Sequence, residues 1–406
     1  MRRRPAAALL AALLLLLAVC SPAAAAERAP SVEARAWTLV DARTGETLAS
    51  HAAARRLSVA STTKLMTAYV ALQELPLERV VRTAPYEPIY GESLLGVKAG
   101  ERVSVHDLLY GLLLRSGNDS AHDLALAAAG SQPAFVTAMN RRAAALGLAD
   151  THYANPIGLD DPGNFSSARD LATLTRRLLA DPVFAKIVDS RSALLRSLRP
   201  PRRIENSNDL LRMAPWATGV KTGHTFDADY VLVAAGERKG VELISVAIGA
   251  PSEEARYRAS LDLLEYGFSQ YKRRVPIHAG QDLADPEIRY SGGELPLRAA
   301  RTVVVGLRRG QQLEVEVRAP AELEGPVRRG AKLGSATVFV EGRRAGAVPL
   351  RAGRSIPAAS SFDRARTFLG DNLALIGIAA FVILMGGVFL YRRLFQPPRP
   401  RRANPG

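Results

Sequence analysis

The stretch Ser58-Val59-Ala60-Ser61-Thr62-Thr63-Lys64-Leu65-Met66-Thr67 decides the reading of this chain. A serine stands three residues before a lysine. The apolar spacing of Leu65, Met66, Tyr69, Val70 and Leu72 predicts a helix that opens at Ser61. On such a helix Ser61 and Lys64 lie one turn apart and face the same side. The helix start adds unpaired N–H groups and a positive dipole end. A hydroxyl beside an amine forms a nucleophile and base, provided the amine is neutral. The background makes the lysine informative, because the 406 residues hold 7 Lys against 47 Arg. Arginine keeps its proton in a protein, whereas burial can lower the pKa of a lysine enough for it to act as a base.

Working outward, two more short motifs carry chemistry. Ser116-Gly117-Asn118 sits between predicted helices at Val105–Leu114 and 121–129. Ser116 can relay a proton between Lys64 and a leaving group, and Asn118 offers donor and acceptor to a peptide backbone. Lys221-Thr222-Gly223 lies in a β-rich region. Lys221 supplies positive charge and Thr222 a hydroxyl for a substrate carboxylate. Gly223 lets a substrate backbone approach the strand edge. The N–H groups of Ser61 and His224 would form an oxyanion hole. Taken singly, each motif is common and is usually a helix start, a turn or a hairpin edge. The three together, in this order, point to a serine acyltransferase with a lysine base.

Strands are predicted at Ala36–Asp41, 46–50, 230–235 and Val241–Ala250, and a closing helix at 252–268. Glu237-Arg238-Lys239-Gly240 reads as a hairpin. Strands at both ends with helices between imply an α/β (α+β) layer structure whose sheet is completed by the two ends. This body occupies 27–272. The segment 273–352 has Gly and Pro punctuation and short alternating runs, and reads as a small all-β domain. A linker at 353–372 follows.

The ends set the compartment. Residues 1–26 hold Arg2, Arg3 and Arg4, an apolar run and Ala24-Ala25-Ala26, which is the pattern of a secretory signal peptide. The one cysteine, Cys20, lies inside it and is read as an ordinary signal-peptide residue, so the mature chain has no thiol nucleophile or disulfide. Residues 373–391 carry no charge and reach roughly 28 Å as a helix, enough for a bilayer core. Five arginines follow in a basic tail, 392–406, which the positive-inside rule places in the cytoplasm. The leader carries three Arg and the tail five, without acids, so only +7 of the net +15 belongs to 27–391. A secreted chain of this charge suits an anionic wall or lipid surface, and nucleic acid is not expected as a partner.

The chain resembles low-molecular-mass penicillin-binding proteins of the D-alanyl-D-alanine carboxypeptidase family. The resemblance rests on the stretch quoted first, on Ser116-Gly117-Asn118-Asp119, on Asn155-Pro156-Ile157-Gly158-Leu159 and on Gly219-Val220-Lys221-Thr222-Gly223-His224-Thr225. It covers roughly Trp37 to Phe268, and continues more weakly from Pro326 to Leu350. It implies a β-lactamase/transpeptidase-like domain, no cofactor and no metal. Ser61 would be the acylated nucleophile and Lys64 the base, with Ser116 and Asn118 as the second motif and Lys221 and Thr222 as the third. Arg256 would lie near the substrate's terminal carboxylate, against an equal reading as a surface helix arginine. Asp170 would be an active-site-loop aspartate, against a slightly favoured reading as a helix N-cap. Peptidoglycan stem peptides would be substrates and β-lactams inhibitors.

Alternatives on the same fold are a D,D-endopeptidase or transpeptidase, a β-lactamase, and a non-catalytic wall-binding protein. The segment 155–170 contains Asp160, Asp161 and Asp170 but no glutamate, which argues against the class A β-lactamase route to deacylation. His106-Asp107 and His122-Asp123 lack metal-ligand spacing and read as structural. The family's best-known members end in an amphipathic helix on the membrane surface. This chain carries a full apolar span and should be integral.

Overall fold

The computed structural model describes residues 29–395. The expected leader and most of the basic tail lie outside the described residues. The chain divides after Lys272 into two compact units.

The first unit opens with strands β1 (Ala36–Asp41) and β2 (Thr47–His51). Helix α1 (Lys64–Glu74) follows a single 3₁₀ turn, Ala60–Thr63. Next come the short pair β3 (Val80–Arg82) and β4 (Arg102–Ser104), then helices α2 (Val105–Leu114), α3 (Asn118–Ala129), α4 (Gln132–Ala145), α5 (Ala168–Leu179) and α6 (Pro182–Asp189). A second short pair, β5 (Ser192–Leu195) and β6 (Arg202–Glu205), precedes the one-turn helix α7 (Leu210–Met213). Strands β7 (Ala217–Thr225), β8 (Asp229–Arg238) and β9 (Val241–Ala250) and helix α8 (Glu253–Ser269) close the unit. The sheet order β2-β1-β9-β8-β7 joins the first strands to the last. Strand β1 pairs antiparallel with β9, Ala36 opposite Ile248 through to Asp41 opposite Leu243. The β8–β9 hairpin turns on Lys239 and Gly240, both at positive φ, which is what a two-residue primed turn requires.

The central sheet is covered on both faces, so its strands read as continuous apolar runs. Along β1, Ala36 and Val40 join the larger core, which includes Leu65, Met66, Leu108 and Leu112 from α1 and α2. Trp37 and Leu39 point the other way, into a smaller core with Tyr257, Leu263, Leu264 and Phe268 of α8. Helix α1 runs through the larger core, with Leu65, Met66, Ala68 and Ala71 at 0% exposure. Strand β7 is left at the edge of the sheet, with β8 as its one neighbour in the sheet.

The second unit is built on a five-stranded sheet of 282–284, 297–299, 343–352, 332–340 and 313–318. Its core comprises residues such as Leu297, Val305, Val338 and Leu350. The segment expected as a plain linker forms α9 (Ser361–Asp371) over its second half. A capping box explains this, since Ser360 and Asp363 each bond the other's backbone N–H. Helix α10 (Leu373–Phe395) follows, one helix long and apolar enough to cross a membrane. It runs four residues past the expected end at 391, because Arg392 and Arg393 are accommodated in its last turn.

Candidate active site

Lys64 is the first residue of α1, and Ser61 lies in the 3₁₀ turn before it, so the α-helix itself begins later than the spacing predicts. The i,i+3 relation survives, because a 3₁₀ turn brings residues three apart into line. Lys64 Nζ lies 2.8 Å from Ser61 Oγ and donates to the Ile157 carbonyl oxygen at 2.5 Å. Ala60, immediately before the serine, takes φ +48°, a left-handed conformation that only a constrained setting holds.

The Ile157 carbonyl is aimed by its own loop. Asn155 Oδ1 accepts from the N–H groups of Ile157, Gly158 and Leu159 at 3.3, 2.7 and 3.2 Å, and its Nδ2 donates to Leu159 O at 3.1 Å. Thr67 of α1 donates to Pro156 O at 2.6 Å. Gly158 sits at φ +87°, and a Cβ there would collide with the Ala60 carbonyl oxygen. The Asn-Pro-Ile-Gly-Leu run therefore packs directly under the serine turn and presents an acceptor to the lysine.

The second motif forms the tight connection between α2 and α3. Ser116 is held at φ +59° and is buried, as is Asn118. Asn118 N–H donates to Ser93 O at 2.8 Å, and its side-chain Nδ2 donates to Glu92 Oε2 at 2.9 Å. The following residue, Asp119, accepts the N–H groups of Leu95, Gly96, Val97 and Ser120 at 2.8, 2.7, 3.2 and 2.8 Å. This buried carboxylate staples the loop before β4 against the motif.

The third motif lies on edge strand β7. Lys221 is 1% exposed and its Nζ donates to Thr222 O at 2.8 Å. A Cβ on Gly223 would sit 3.2 Å from the Ser61 nitrogen and 3.1 Å from Ala60 Cβ, tighter than ordinary contacts. Glycine thus lets the strand run against the serine turn. His224 is exposed, its ring 4.2 Å from that of Tyr230. Arg256 is not a surface helix arginine. It is buried, donates to Gly223 O at 3.3 Å and to Tyr257 OH at 3.2 Å, pairs with Glu253, and lies over the rings of Tyr230 and Tyr257.

Electrostatics couples these groups. Burial, reinforced by the charge of Lys221, holds the Lys64 amine well below the usual lysine range, while Glu92 and Asp119 oppose the shift. Burial, with Arg256 nearby, brings Lys221 down to about 7. Burial and the neighbouring Lys221 together favour the neutral form of the Lys64 amine next to the serine.

Asp170 is not the N-cap of its helix. Ser167 is the N-cap of α5, accepting the Asp170 N–H, and Asp170 occupies the first turn. Its Oδ2 accepts from Asp150 N–H and Thr151 Oγ1, both at 2.8 Å, so it pins the preceding loop. His122 Nδ1 lies 2.6 Å from Gln132 Nε2, and Asp123 accepts the Ala84 N–H at 2.8 Å. Among the described residues no cluster of metal-ligating side chains occurs. Sequence reasoning missed Glu92 and Tyr86, whose hydroxyl donates to Glu92 Oε2 at 2.5 Å. The one signal was a carboxylate placed directly after Gly91 in the loop before β4.

A serine hydroxyl within hydrogen-bond reach of a buried lysine, between a helix start and a sheet edge, is the arrangement that an active-site-serine peptidase of the penicillin-binding type requires. The family profile described as D-alanyl-D-alanine carboxypeptidase matches residues 23–252, and the chain belongs to that family. The D-alanyl-D-alanine carboxypeptidase DacC of Escherichia coli is 33% identical over 362 residues, covering 84% of this chain and 88% of that protein. DacB2 of Mycobacterium tuberculosis is 39% identical over 217 residues, 53% of this chain and 74% of that protein. Penicillin binding protein 5 from Haemophilus influenzae superposes with a TM-score of 0.57 at 27% identity, covering 82% of this chain and 99% of that one. The chain is a serine-type D-Ala-D-Ala carboxypeptidase.

Proposed function

We propose that Ser61 is the acylated nucleophile and that the three motifs divide the work as follows. Neutral Lys64 takes the Ser61 Oγ proton as Oγ bonds to the carbonyl carbon of the penultimate D-alanine. The N–H groups of Ser61 and His224 receive the oxyanion. Collapse breaks the peptide C–N bond. The departing D-alanine nitrogen takes its proton from Lys64 through Ser116. Water then attacks the ester carbon as Lys64 takes its proton, the C–Oγ bond breaks, and Lys64 passes that proton to Ser61 Oγ, restoring the serine and the neutral amine. Asn118 and edge strand β7 align the stem peptide, which adds alongside the strand. Lys221, Thr222 and Arg256 attract the terminal carboxylate. β-Lactams enter by the same acylation.

The observation that carries this reading is the 2.8 Å Lys64 Nζ–Ser61 Oγ approach, with the amine anchored on Ile157 O and stripped of water. Mass spectrometry after incubation with penicillin should show one adduct on the Ser61 peptide, and none in Ser61→Ala. An adduct that persists in the variant refutes the assignment.

For the whole chain we infer a leader at 1–26, the peptidase at 27–272, a β domain at 273–352, a connecting segment at 353–372, a single membrane span from residue 373, and a cytoplasmic tail ending at 406. The apolar helix Leu373–Phe395 and the arginines that follow it support an enzyme facing the wall, anchored from its C-terminal end.

A further inference from the structure

We propose that Glu92 is a positioning residue for the reaction: its carboxylate sets the orientation of the Asn118 amide and ties the loop 84–97 to the reacting centre. This rests on the assignment of Ser61, Lys64 and Asn118 above.

Glu92 Oε2 accepts from Asn118 Nδ2 at 2.9 Å and from Tyr86 OH at 2.5 Å. An ionised carboxylate only accepts. With the Asn118 amide turned over, Oδ1 would face Oε2, two acceptors in contact. Glu92 therefore admits one orientation, which leaves Oδ1 and the second amide proton for other partners. Asn118 is also gripped through its backbone, N–H to Ser93 O at 2.8 Å, so both of its ends meet the same loop. The loop's flanks are held separately, at Ala84 by Asp123 and at Leu95, Gly96 and Val97 by Asp119. Glu92 is the contact between the loop's middle and a motif side chain.

The charge of Glu92 also reaches the base. Lys64 faces Lys221 from β7, Glu92 from the loop and Asp119 from α3, and Lys221 in turn faces Arg256 from α8. The two carboxylates favour the protonated amine, against burial and Lys221. Removing one carboxylate makes Lys64 easier to deprotonate, so acylation should persist to lower pH.

The test measures acylation by a fluorescent penicillin in full-length, detergent-solubilised protein across a pH series. Glu92→Ala should slow acylation at its optimum by about tenfold or more, the scale of one lost charge-assisted hydrogen bond. Glu92→Gln keeps an acceptor for Asn118 Nδ2. It should recover the optimum rate to within about threefold, with its acid limb at lower pH than the wild type. Wild-type rates and limbs in Glu92→Ala would overturn the proposal. So would Glu92→Gln as slow as Glu92→Ala at every pH, or an acid limb that does not move. If Glu92→Ala does not fold, the acid limb of the isosteric Glu92→Gln decides alone. Ser61→Ala in the same series separates the cases, since labelling that survives it refutes the underlying site instead.

Discussion

Asn155 touches no reacting atom, yet its replacement should cost both stability and rate. Its amide makes four hydrogen bonds within its own loop, and the loop's product is the Ile157 carbonyl that accepts from Lys64. Asn155→Ala removes all four. At about 1 kcal/mol net for each, discounted for the two longest, the loss is roughly 2–4 kcal/mol. That is a large part of the 5–15 kcal/mol typical of a domain, and corresponds to a melting shift of about 4–16 °C. The amine loses its anchor at the same time. If Nζ then spends most of its time away from Ser61, acylation falls by about ten- to a hundredfold. Asn155→Asp keeps the three accepted bonds but sets a carboxylate oxygen against Leu159 O where Nδ2 donated, so it recovers only part of the stability, and it brings a negative charge near Lys64. That charge favours the protonated amine, so the acid limb moves to higher pH. Thermal melting and stopped-flow acylation by penicillin, at temperatures where each variant is folded, read the two effects separately. Wild-type acylation with an unchanged pH profile in folded Asn155→Ala would refute the idea that this loop aims the lysine.

Three further outcomes are expected. Lys64→Arg keeps the charge and approximate length but removes the titratable base, so acylation at neutral pH should be abolished; near-normal labelling would make Lys64 merely electrostatic. Lys221 titrates near 7 in the free site, so KM for a D-Ala-D-Ala peptide should rise as pH climbs through that value and the cation is lost. Because its charge helps to keep Lys64 neutral, Lys221→Gln should shift the acid limb of acylation upward; a downward shift would contradict the coupling. Protease added to intact protoplasts should digest the body and spare the tail, and digestion of the tail from outside would reverse the proposed topology.

The elements that announce themselves in the sequence are those with strong local patterns. Strand β1 and helix α2 have the limits that apolar runs predict. The start of α8 is legible because Ser252 is a capping serine before two acids. The boundary at Ser61 is less so, because a 3₁₀ turn and an α-turn share the i,i+3 repeat. The Asp170 cap is misassigned because Ser167, three residues earlier, competes for the same role and wins. Burial of Arg256 depends on the approach of β8 to α8, which no local pattern encodes. Glu92 belongs to a loop without periodicity, and its meaning appears only when Asn118 arrives from another part of the chain.

Strand β7 has a final consequence, outside catalysis. Proteins commonly blunt a sheet's border with proline, bulges or a covering segment, because a bare row of amide and carbonyl groups templates intermolecular pairing. On the proposed reading this border stays open for an incoming peptide, and Gly223 lets it run close against the serine turn. Phe226, 96% exposed at the adjoining hairpin tip, adds an adhesive corner. The border that would receive the peptide therefore also offers a route to self-association, and the proposed membrane tether would limit how two such borders meet.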